Sequence, residues 1–313
     1  MREAMIEVQN LRKEYGDLVA VSDISLEVRA GTVFGLLGPN GAGKSTTLSC
    51  ICSLIPPTSG EIRIAGHDIR RDTVAARRHL GFVPQDLALY EDLSAAENLR
   101  YWGSAYGLRG GRLEQRLHQV LEQVGLTDRA KEPVKRFSGG MKRRLNFACG
   151  LVHEPKVLLL DEPTVGVDPQ SRVRLLELVR RQADMGTAVL YTTHYMEEAQ
   201  DLCDRLAIID HGSIVAEGDL AQLQAMLGEK DLVRLSGRFD PAAVAAAMKS
   251  IDGLDCVQLE SDSLVLALPR AGSALPRIFE AAAHAGAEIR ETTISRPSLE
   301  TLFIKLTGRE LRE

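Results

Sequence analysis

Residues 5–37 alternate between apolar and polar positions, which predicts short strands. IEVQNL and VSDISLEV alternate, and TVFGLLG is a fuller apolar run that leads into glycine. From Lys44 to Leu54 the pattern is helical, and Pro56-Pro57 ends it. Residues 61–69 and 80–84 are again strand-like.

Residues 92–135 have a different, helical character. SAAENLRYWGSAYGL and RLEQRLHQVLEQVG give helical periodicity with little strand signal, which predicts a helical insertion between strands. Strand patterns return in VLLLD (157–161), TAVLYTTH (187–194) and LAIIDHGSIVAEG (206–218), and SRVRLLELVRRQADMG between them predicts an amphipathic helix. Strands that alternate with helices indicate an α/β fold with a largely parallel sheet.

The pattern restarts after residue 228. Six successive segments predict the order β-α-β-β-α-β, which is a split βαβ module, and SLETLFIKL predicts one more helix. We therefore expect two domains, 1–228 and a small α+β domain at 229–313. A chain of 313 residues is long enough for two, since single cores stop growing at roughly 250–300 residues.

Charge and cysteine content narrow the class of protein. The net charge of −5 argues against nucleic acid as the main partner, and the five cysteines have no metal-site or redox spacing. MREAMIEVQN has no apolar core, so we expect no signal peptide there. No apolar run approaches the ~20 residues that span a bilayer, so any membrane role requires a partner.

The segment GPNGAGKST, from Gly38 to Thr46, matches the phosphate-loop pattern G-x-x-x-x-G-K-[ST] between a predicted strand and a predicted helix. Its glycines let successive backbone N–H groups point at an anion. Lys44 can then reach the β- and γ-phosphates, and the Ser45 hydroxyl can ligate Mg²⁺.

VLLLDEPT supplies an acidic pair at the end of a buried strand. Asp161 suits the Mg²⁺ shell, and Glu162 suits general-base duty on the attacking water. The alternative is that Asp161 and Glu162 are simply an acidic pair on the surface. The four apolar residues that precede them make this alternative less favoured. Nucleotide, Mg²⁺ and a polarised water predict nucleoside triphosphate hydrolysis.

RFSGGMKRRL (136–145) opens a predicted helix with a serine and two glycines, directly followed by three cations. Cations are disfavoured at a helix N-terminus, which itself attracts anions. The pattern therefore raises the question of which anion the bared N-terminus meets. We expect Arg143 and Arg144 to turn toward carboxylates or an interface.

Six motifs occur in order: GPNGAGKST, VPQD, FSGG, VLLLDEPT, GVDP and TTH. Together they resemble the ATP-binding subunits of ABC transporters over roughly residues 5–225. The resemblance implies a P-loop NTPase core, with a mixed sheet flanked by helices, and a helical signature subdomain at about 86–150. It also implies ATP and Mg²⁺ as cofactors and a homodimer. In that homodimer, the bared N-terminus of the FSGG helix would meet the γ-phosphate of ATP held by Lys44 of the second copy.

The resemblance assigns roles position by position. Gln85 would touch Mg²⁺ and water, His194 would contact the γ-phosphate, and Tyr15 would stack on adenine unless it is a packed strand-edge tyrosine. Asp168 would communicate between two ATP sites, or act as a helix N-cap, or both. The implied catalytic residues are Glu162, His194 and Gln85, and the implied metal ligands are Ser45, Gln85 and Asp161. The implied nucleotide-binding residues are Tyr15, Gly38, Pro39, Asn40, Gly41, Ala42, Gly43, Lys44, Ser45, Thr46, Ser138, Gly139, Gly140 and Asp168.

FSGGM departs from the family's usual LSGGQ, since Met141 lacks the polar side chain that can face nucleotide. The segment after residue 228 resembles the accessory domain of ABC-2-type exporter ATPases, the drug-resistance and polysaccharide group. We therefore expect the motor of an exporter, at the cytoplasmic face of the membrane, acting on a separately encoded ABC-2-type permease. The alternatives are a soluble ABC-type ATPase of DNA repair or translation, and an importer ATPase.

Overall fold

The computed structural model describes residues 3–226, 230–248, 251–260, 262–269, 271–295 and 298–307. The chain forms two compact units, Met1–Val215 and Ala216–Glu313. Their division lies upstream of the boundary that we predict at residue 228, which remains a prediction.

Ten strands form one sheet around which the larger unit is built. In chain order they are β1 (Ala4–Tyr15), β2 (Leu18–Arg29), β3 (Val33–Leu37), β4 (Ser59–Ile64), β5 (His67–Asp68), β6 (Leu80–Val83), β7 (Val157–Asp161), β8 (Ala188–Thr193), β9 (Arg205–Asp210) and β10 (Ser213–Gly218). Their order across the sheet is β5-β4-β1-β2-β10-β9-β3-β8-β7-β6.

The sheet is mixed, as predicted. The strands from β9 to β6 pair in parallel through β3, β8 and β7, whereas β2, β1, β4 and β5 pair antiparallel. β3, β7 and β8 are buried along their whole length, which explains their nearly continuous apolar sequences.

The register of the parallel strands brings their carboxyl ends to one edge. Leu37 at the end of β3 pairs with Thr193 of β8, and Asp161 at the end of β7 pairs with Thr192. The residues that follow each strand therefore meet at this edge, which is the usual ligand side of an open α/β sheet.

Helices cover the sheet and form the predicted insertion between β6 and β7. They are α1 (Lys44–Ile51), α2 (Thr73–Arg78), α3 (Ala95–Ala105), α4 (Gly110–Gln123), α5 (Gly139–Leu151), α6 (Pro169–Asp184) and α7 (Met196–Leu202). α3 begins at Ser94, whose side chain and that of Glu97 form a reciprocal capping box. The insertion, α3 to α5, shares one apolar cluster with β7 and β8, and that cluster includes Leu99, Leu117 and Phe147.

The smaller unit begins with α8 (Leu220–Ala225). It continues with β11 (Lys230–Arg238), α9 (Pro241–Ala247), β12 (Asp255–Leu259), β13 (Ser263–Pro269), α10 (Ala271–His284), β14 (Glu288–Ser295) and α11 (Leu299–Thr307). The strands lie in the order β12-β13-β11-β14, and the three pairings are antiparallel. This is the predicted split βαβ module. The amphipathic pattern of α11 predicts one apolar face of Leu299, Leu302, Phe303 and Leu306. The first three are buried, whereas Leu306, near the end of the helix, is 40% exposed.

The structure differs from the predicted elements in several places. The strand predicted at 61–69 is a tight hairpin of β4 and β5, because Ala65 and Gly66 both take positive φ (49° and 81°) at the turn. The short helices α2, α7 and α8 were not predicted. α1 ends three residues before the predicted Leu54, at Ile51.

None of the described helices is long and apolar enough to cross a membrane. The five cysteines are free, and Cys50, Cys52 and Cys149 are buried.

Candidate active site

The loop between β3 and α1 folds around its own lysine. Lys44 is buried, and its Nζ donates to the carbonyl oxygens of Gly38 at 2.7 Å and Pro39 at 3.0 Å. The amide of Gly38 donates to the carbonyl of Thr193 at 3.3 Å, which ties the loop to the end of β8. The ammonium is therefore held at the base of the loop.

Two glycines of this loop have different physical roles. Gly43 has φ +105°, and a Cβ there would lie 2.6 Å from the carbonyl oxygen of Ala20. Gly41 has φ +81°, and a Cβ there would meet no atom within 4 Å. Packing excludes a side chain at Gly43, whereas Gly41 keeps the backbone N–H groups accessible to an anion.

A hydroxyl–carboxylate pair joins α1 to the end of β7. Ser45 Oγ donates to Asp161 Oδ1 at 3.1 Å, and Thr192 Oγ1 donates to the same oxygen at 2.8 Å. Burial raises the pKa of Asp161, and the hydrogen bonds from Thr192 and Ser45 oppose that rise. The strand register thus produces a cluster of oxygen atoms beside the phosphate loop.

Glu162 contacts two cations or potential cations in the interior of the site. Its Oε1 lies 2.9 Å from Lys44 Nζ, and its Oε2 lies 3.0 Å from His194 Nδ1. Glu162 is 5% exposed and adopts a positive φ of 43°, which is uncommon for glutamate and occurs most often at functional sites. Its amide donates to Thr192 Oγ1 at 2.9 Å, which helps to hold that conformation.

Of these groups, Lys44, Ser45 and Glu162 border a cleft of about 500 Å³, whereas Asp161 and His194 lie behind it and do not line it. Tyr15 is 48% exposed on its wall, with Lys13 Nζ lying 4.8 Å from the ring centre. Gln85 also lines the cleft. The predicted site residues along the cleft are Tyr15, Asn40, Gly41, Gly43, Lys44, Ser45, Thr46, Gln85 and Glu162.

Ala42 and the signature residues do not line this cleft. Ala42 is buried, and its carbonyl accepts the amide of Gly212. Ser138 and Gly139 are exposed at the start of α5, where Ser138 Oγ accepts the amide of Met141 at 3.3 Å. Gly140 is buried, and a Cβ there would lie 2.1 Å from Ser171 Oγ.

Asp168 caps a helix, as one of the two sequence hypotheses states. Its Oδ1 accepts the amide of Ser171 at 2.9 Å, and Pro169 occupies the first position of α6. The hydrogen bond from Ser171 lowers the pKa of Asp168. The side chain is exposed, so its role between two sites stays a prediction.

The three cations of α5 do not crowd its N-terminus. Lys142 Nζ pairs with Glu91 at 2.5 Å. Arg143 donates to the carbonyls of Gln85 and Val165, and Arg144 donates to a carbonyl at the end of α4. The two arginines therefore turn toward main-chain carbonyls and not toward carboxylates, and the alternative that they face an interface stays a prediction.

Sequence reasoning missed the carboxylate of Glu198, in α7. Glu198 is buried, and its Oε2 accepts Tyr191 Oη at 2.7 Å and Thr193 Oγ1 at 3.0 Å. Arg172 Nε of α6 lies 3.4 Å from Glu198 Oε1, and the Arg172 guanidinium stacks over Tyr195. The only sequence signal was position, four residues after His194.

Comparisons with known proteins now decide the family. The family described as ABC transporter matches residues 21–165. The linearmycin resistance ATP-binding protein LnrL of Bacillus subtilis is 43% identical over 312 residues, covering 99% of this chain and all of that protein. This chain belongs to the ATP-binding subunits of ABC transporters. It is therefore an ATP-binding protein and an ATP hydrolase.

Other relatives and structures agree with this ABC ATPase assignment. The Nod factor export ATP-binding protein I of Cupriavidus pinatubonensis is 39% identical over 99% of this chain and 93% of that protein. The daunorubicin/doxorubicin resistance protein DrrA of Streptomyces peucetius is 37% identical over 97% of this chain and 92% of that protein. These relatives favour the predicted exporter group over a soluble repair or translation ATPase and over an importer.

Two solved structures share the fold. The ATP-binding subunit of an ABC transporter matches with a TM-score of 0.66 and 33% identity over 72% of this chain and 93% of that one. A dimeric ATP-binding cassette in a post-hydrolysis state, bound to ADP and Pi, matches with a TM-score of 0.63 and 27% identity over 69% of this chain and 98% of that one. The predicted P-loop NTPase fold is confirmed.

Proposed function

We propose that this ABC ATPase drives an exporter as a homodimer bound to separately encoded ABC-2-type membrane subunits. The observation that carries the proposal is the arrangement around Glu162, which contacts Lys44 and His194 beside the Ser45–Asp161 pair. A base, a phosphate-binding cation and a cluster of oxygen ligands within one cleft are the parts that ATP hydrolysis needs.

ATP binds along the cleft. Its adenine stacks on the exposed face of Tyr15, and its phosphates accept the N–H groups of the loop at Gly41. Lys44 binds the β- and γ-phosphates. The remaining nucleotide contacts come from the loop, namely Gly38, Pro39, Asn40, Ala42, Gly43, Ser45 and Thr46.

The donor set suits Mg²⁺. Ser45 Oγ and Asp161 Oδ1 lie 3.1 Å apart, and Gln85 borders the same cleft, so three oxygen ligands can meet phosphate oxygens and water. Bound Mg²⁺ neutralises negative charge on the phosphates. Thr192 and Ser45 both donate to the Asp161 carboxylate, which holds this oxygen ligand in place.

Glu162 serves as the general base. The phosphates of ATP attract Lys44, which frees Glu162 to accept a proton from the attacking water. The water oxygen bonds to the γ-phosphorus, and the bond from that phosphorus to the bridging oxygen of ADP breaks. His194 orients Glu162 through its 3.0 Å contact and then meets the γ-phosphate.

A second copy completes each site. Ser138 and Gly139 are exposed, and they do not line the cleft of their own chain. The N-terminus of α5, a helix of 13 residues, has the partial positive charge and free N–H groups that fit a γ-phosphate. Asp168, at the neighbouring start of α6, and Gly140, in the first turn of α5, belong to the same dimer face.

The membrane subunit docks in an apolar groove of about 410 Å³ between the sheet and the helical insertion. Leu54, Phe82, Trp102 and Tyr106 line it, and Leu54 is 62% exposed. Asn146 lies in the groove and bonds the main chain on both sides of Gln85, through Pro84 and Ala88. Docking there places the chain at the cytoplasmic face of the membrane, with 229–313 as an accessory domain.

The substitution Glu162→Gln tests the motor. It removes the base and keeps the fold, so ATP should trap a dimer, measured by light scattering with and without ATP. Glu177→Gln, an exposed residue of α6, is the matched control and should remain active. A Glu162→Gln protein that stays monomeric at saturating ATP would contradict the homodimer.

Purification from detergent-solubilised membrane tests the partner. A polytopic membrane protein should co-purify with the wild type and should be lost with Leu54→Asp in the groove. Recovery of nucleic acid instead would favour the soluble repair or translation ATPase.

A further inference from the structure

Arg143 bridges two loops of the ATP cleft from one turn inside the signature helix. Its Nη1 donates to the carbonyl of Gln85, and its Nη2 donates to the carbonyl of Val165 at 2.9 Å. Both bonds are charge-assisted, and the rigid guanidinium fork fixes the spacing of the two acceptors.

Each acceptor is directly connected to a group proposed for catalysis. Gln85 borders the cleft with its own side chain. The amide of Val165 donates to the carbonyl of Glu162 at 3.3 Å, so the second acceptor belongs to the turn that carries the general base. Arg143 thus contacts both the Gln85 loop and the Glu162 turn at the border of the cleft.

The other end of the connection is the start of α5. The amide of Lys142 donates to the carbonyl of Ser138 at 2.9 Å, so Arg143 lies on the first helical turn after the signature residues. A shift of the Gln85 loop or the Glu162 turn therefore moves the guanidinium and, with it, the helix N-terminus. That N-terminus serves the ATP site of the second copy.

We propose that Arg143 is a positioning residue that couples ATP binding in one site to the signature helix that completes the other. The inference rests on the homodimer proposed above. Arg143 touches no nucleotide; it acts through the main chain of Gln85 and Val165. The proposal predicts that cooperativity between the two ATP sites depends on the two hydrogen bonds of the Arg143 guanidinium. The single ammonium group of lysine cannot reproduce that pair of bonds.

Arg144 provides a matched control on the same helix. Its Nη1 donates to the carbonyls of Val124 at 2.5 Å and Gly125 at 3.3 Å, at the end of α4. Arg144→Gln removes arginine–carbonyl contacts of the same kind without touching the cleft loops.

The experiment compares Arg143→Gln, Arg143→Lys and Arg144→Gln. Nucleotide affinity is measured on dilute, monomeric protein with a non-hydrolysable ATP analogue, and ATPase rate is measured against ATP concentration. Arg143→Gln should keep the wild-type affinity of the monomer for nucleotide. It should lower kcat about 10-fold, a factor typical of coupling between two sites, and it should reduce the Hill coefficient toward one. Arg143→Lys should fall between it and the wild type, and Arg144→Gln should keep the wild-type Hill coefficient.

A second readout uses the Glu162→Gln background. Arg143→Gln should raise the ATP concentration needed for dimerisation about 10-fold. Equal Hill coefficients and equal dimerisation in the Arg143→Gln and Arg144→Gln proteins would overturn the coupling role and leave the dimer intact. Absence of any ATP-dependent dimer in Glu162→Gln alone would instead contradict the proposed function, and the coupling with it. If Arg143→Gln does not fold, the Arg143→Lys protein decides by the same criteria.

Discussion

Lys44 and Glu162 form a buried ion pair, with 2.9 Å between Nζ and Oε1 and at most 5% of either side chain exposed. The general base and the phosphate-binding cation of the proposed mechanism are therefore in direct contact. A nucleotide phosphate that binds Lys44 also releases Glu162 from its ion pair. ATP binding and activation of the general base are therefore the same event.

Removal of Lys44 should destabilise the protein as well as abolish ATP binding. Lys44→Ala leaves the Glu162 carboxylate buried without its cation, which costs about 3 kcal/mol in the free energy of unfolding. Lys44→Ala/Glu162→Gln should recover part of that loss, since the remaining amide carries no charge. Urea denaturation of both variants and of Glu162→Gln measures this, and a double variant no more stable than Lys44→Ala would refute the account.

His194 should matter for the chemical step more than for ATP binding. His194→Ala removes the group that orients Glu162, so kcat should fall about 100-fold while KM changes little. Tyr195→Phe, at the neighbouring position, keeps the ring that stacks on Arg172 and should retain activity. In a double-mutant cycle with Glu162→Gln, additive losses in kcat would argue against a shared function of the pair.

The sequence predicted the parts of the fold and site that depend on local pattern. A few consecutive residues are enough to identify each of three features: the loop at Lys44, the acidic pair at Asp161 and the helix cap at Asp168. The positive-φ turn at Ala65-Gly66 was missed, because alanine rarely adopts a positive φ and so gives no sequence signal for such a turn. The contacts of Arg143 and Glu198 were missed because their partners lie on other elements, and only tertiary packing brings them together.

Glu198 should be important for stability and for placing the end of β8. Glu198→Ala leaves Tyr191 and Thr193 without their buried acceptor and Arg172 without its partner, at a cost of about 3 kcal/mol. ATPase activity should fall with it, because Thr193 immediately precedes His194. Glu197→Ala changes an exposed neighbour and should stay within about 0.5 kcal/mol of the wild type, by thermal or chemical unfolding. Equal effects of the two substitutions would contradict the proposed network.

Met141 should act mainly through packing. It is half-buried and packs against the apolar cluster of the helical insertion. Met141→Gln should therefore cost about 1 kcal/mol in the free energy of unfolding and leave kcat within a few-fold of the wild type. Met141→Leu is the matched apolar control, and a large gain in ATP-dependent dimerisation for Met141→Gln would show that the side chain faces nucleotide instead.

His153 should make the protein lose stability in mild acid. Its ring stacks on Tyr106 with 3.5 Å between ring centres, and its Nε2 lies 3.0 Å from the carbonyl oxygen of Leu80. Within the described part of the chain, its buried Nδ1 has no hydrogen-bond partner, so a second proton there would have no acceptor. Burial accordingly lowers the pKa of His153 from 6.5 to about 4.

The sign of the pH effect follows from that shift. Between pH 6.5 and 4 the unfolded chain binds a proton at His153 that the folded chain does not, so stability falls as pH falls. The contribution is fully present above pH 6.5 and amounts to about 3 kcal/mol lost by pH 4. The difference in unfolding free energy between wild type and His153→Gln should shrink by that amount across this range. A difference for His153→Gln that does not change with pH would refute a buried neutral imidazole.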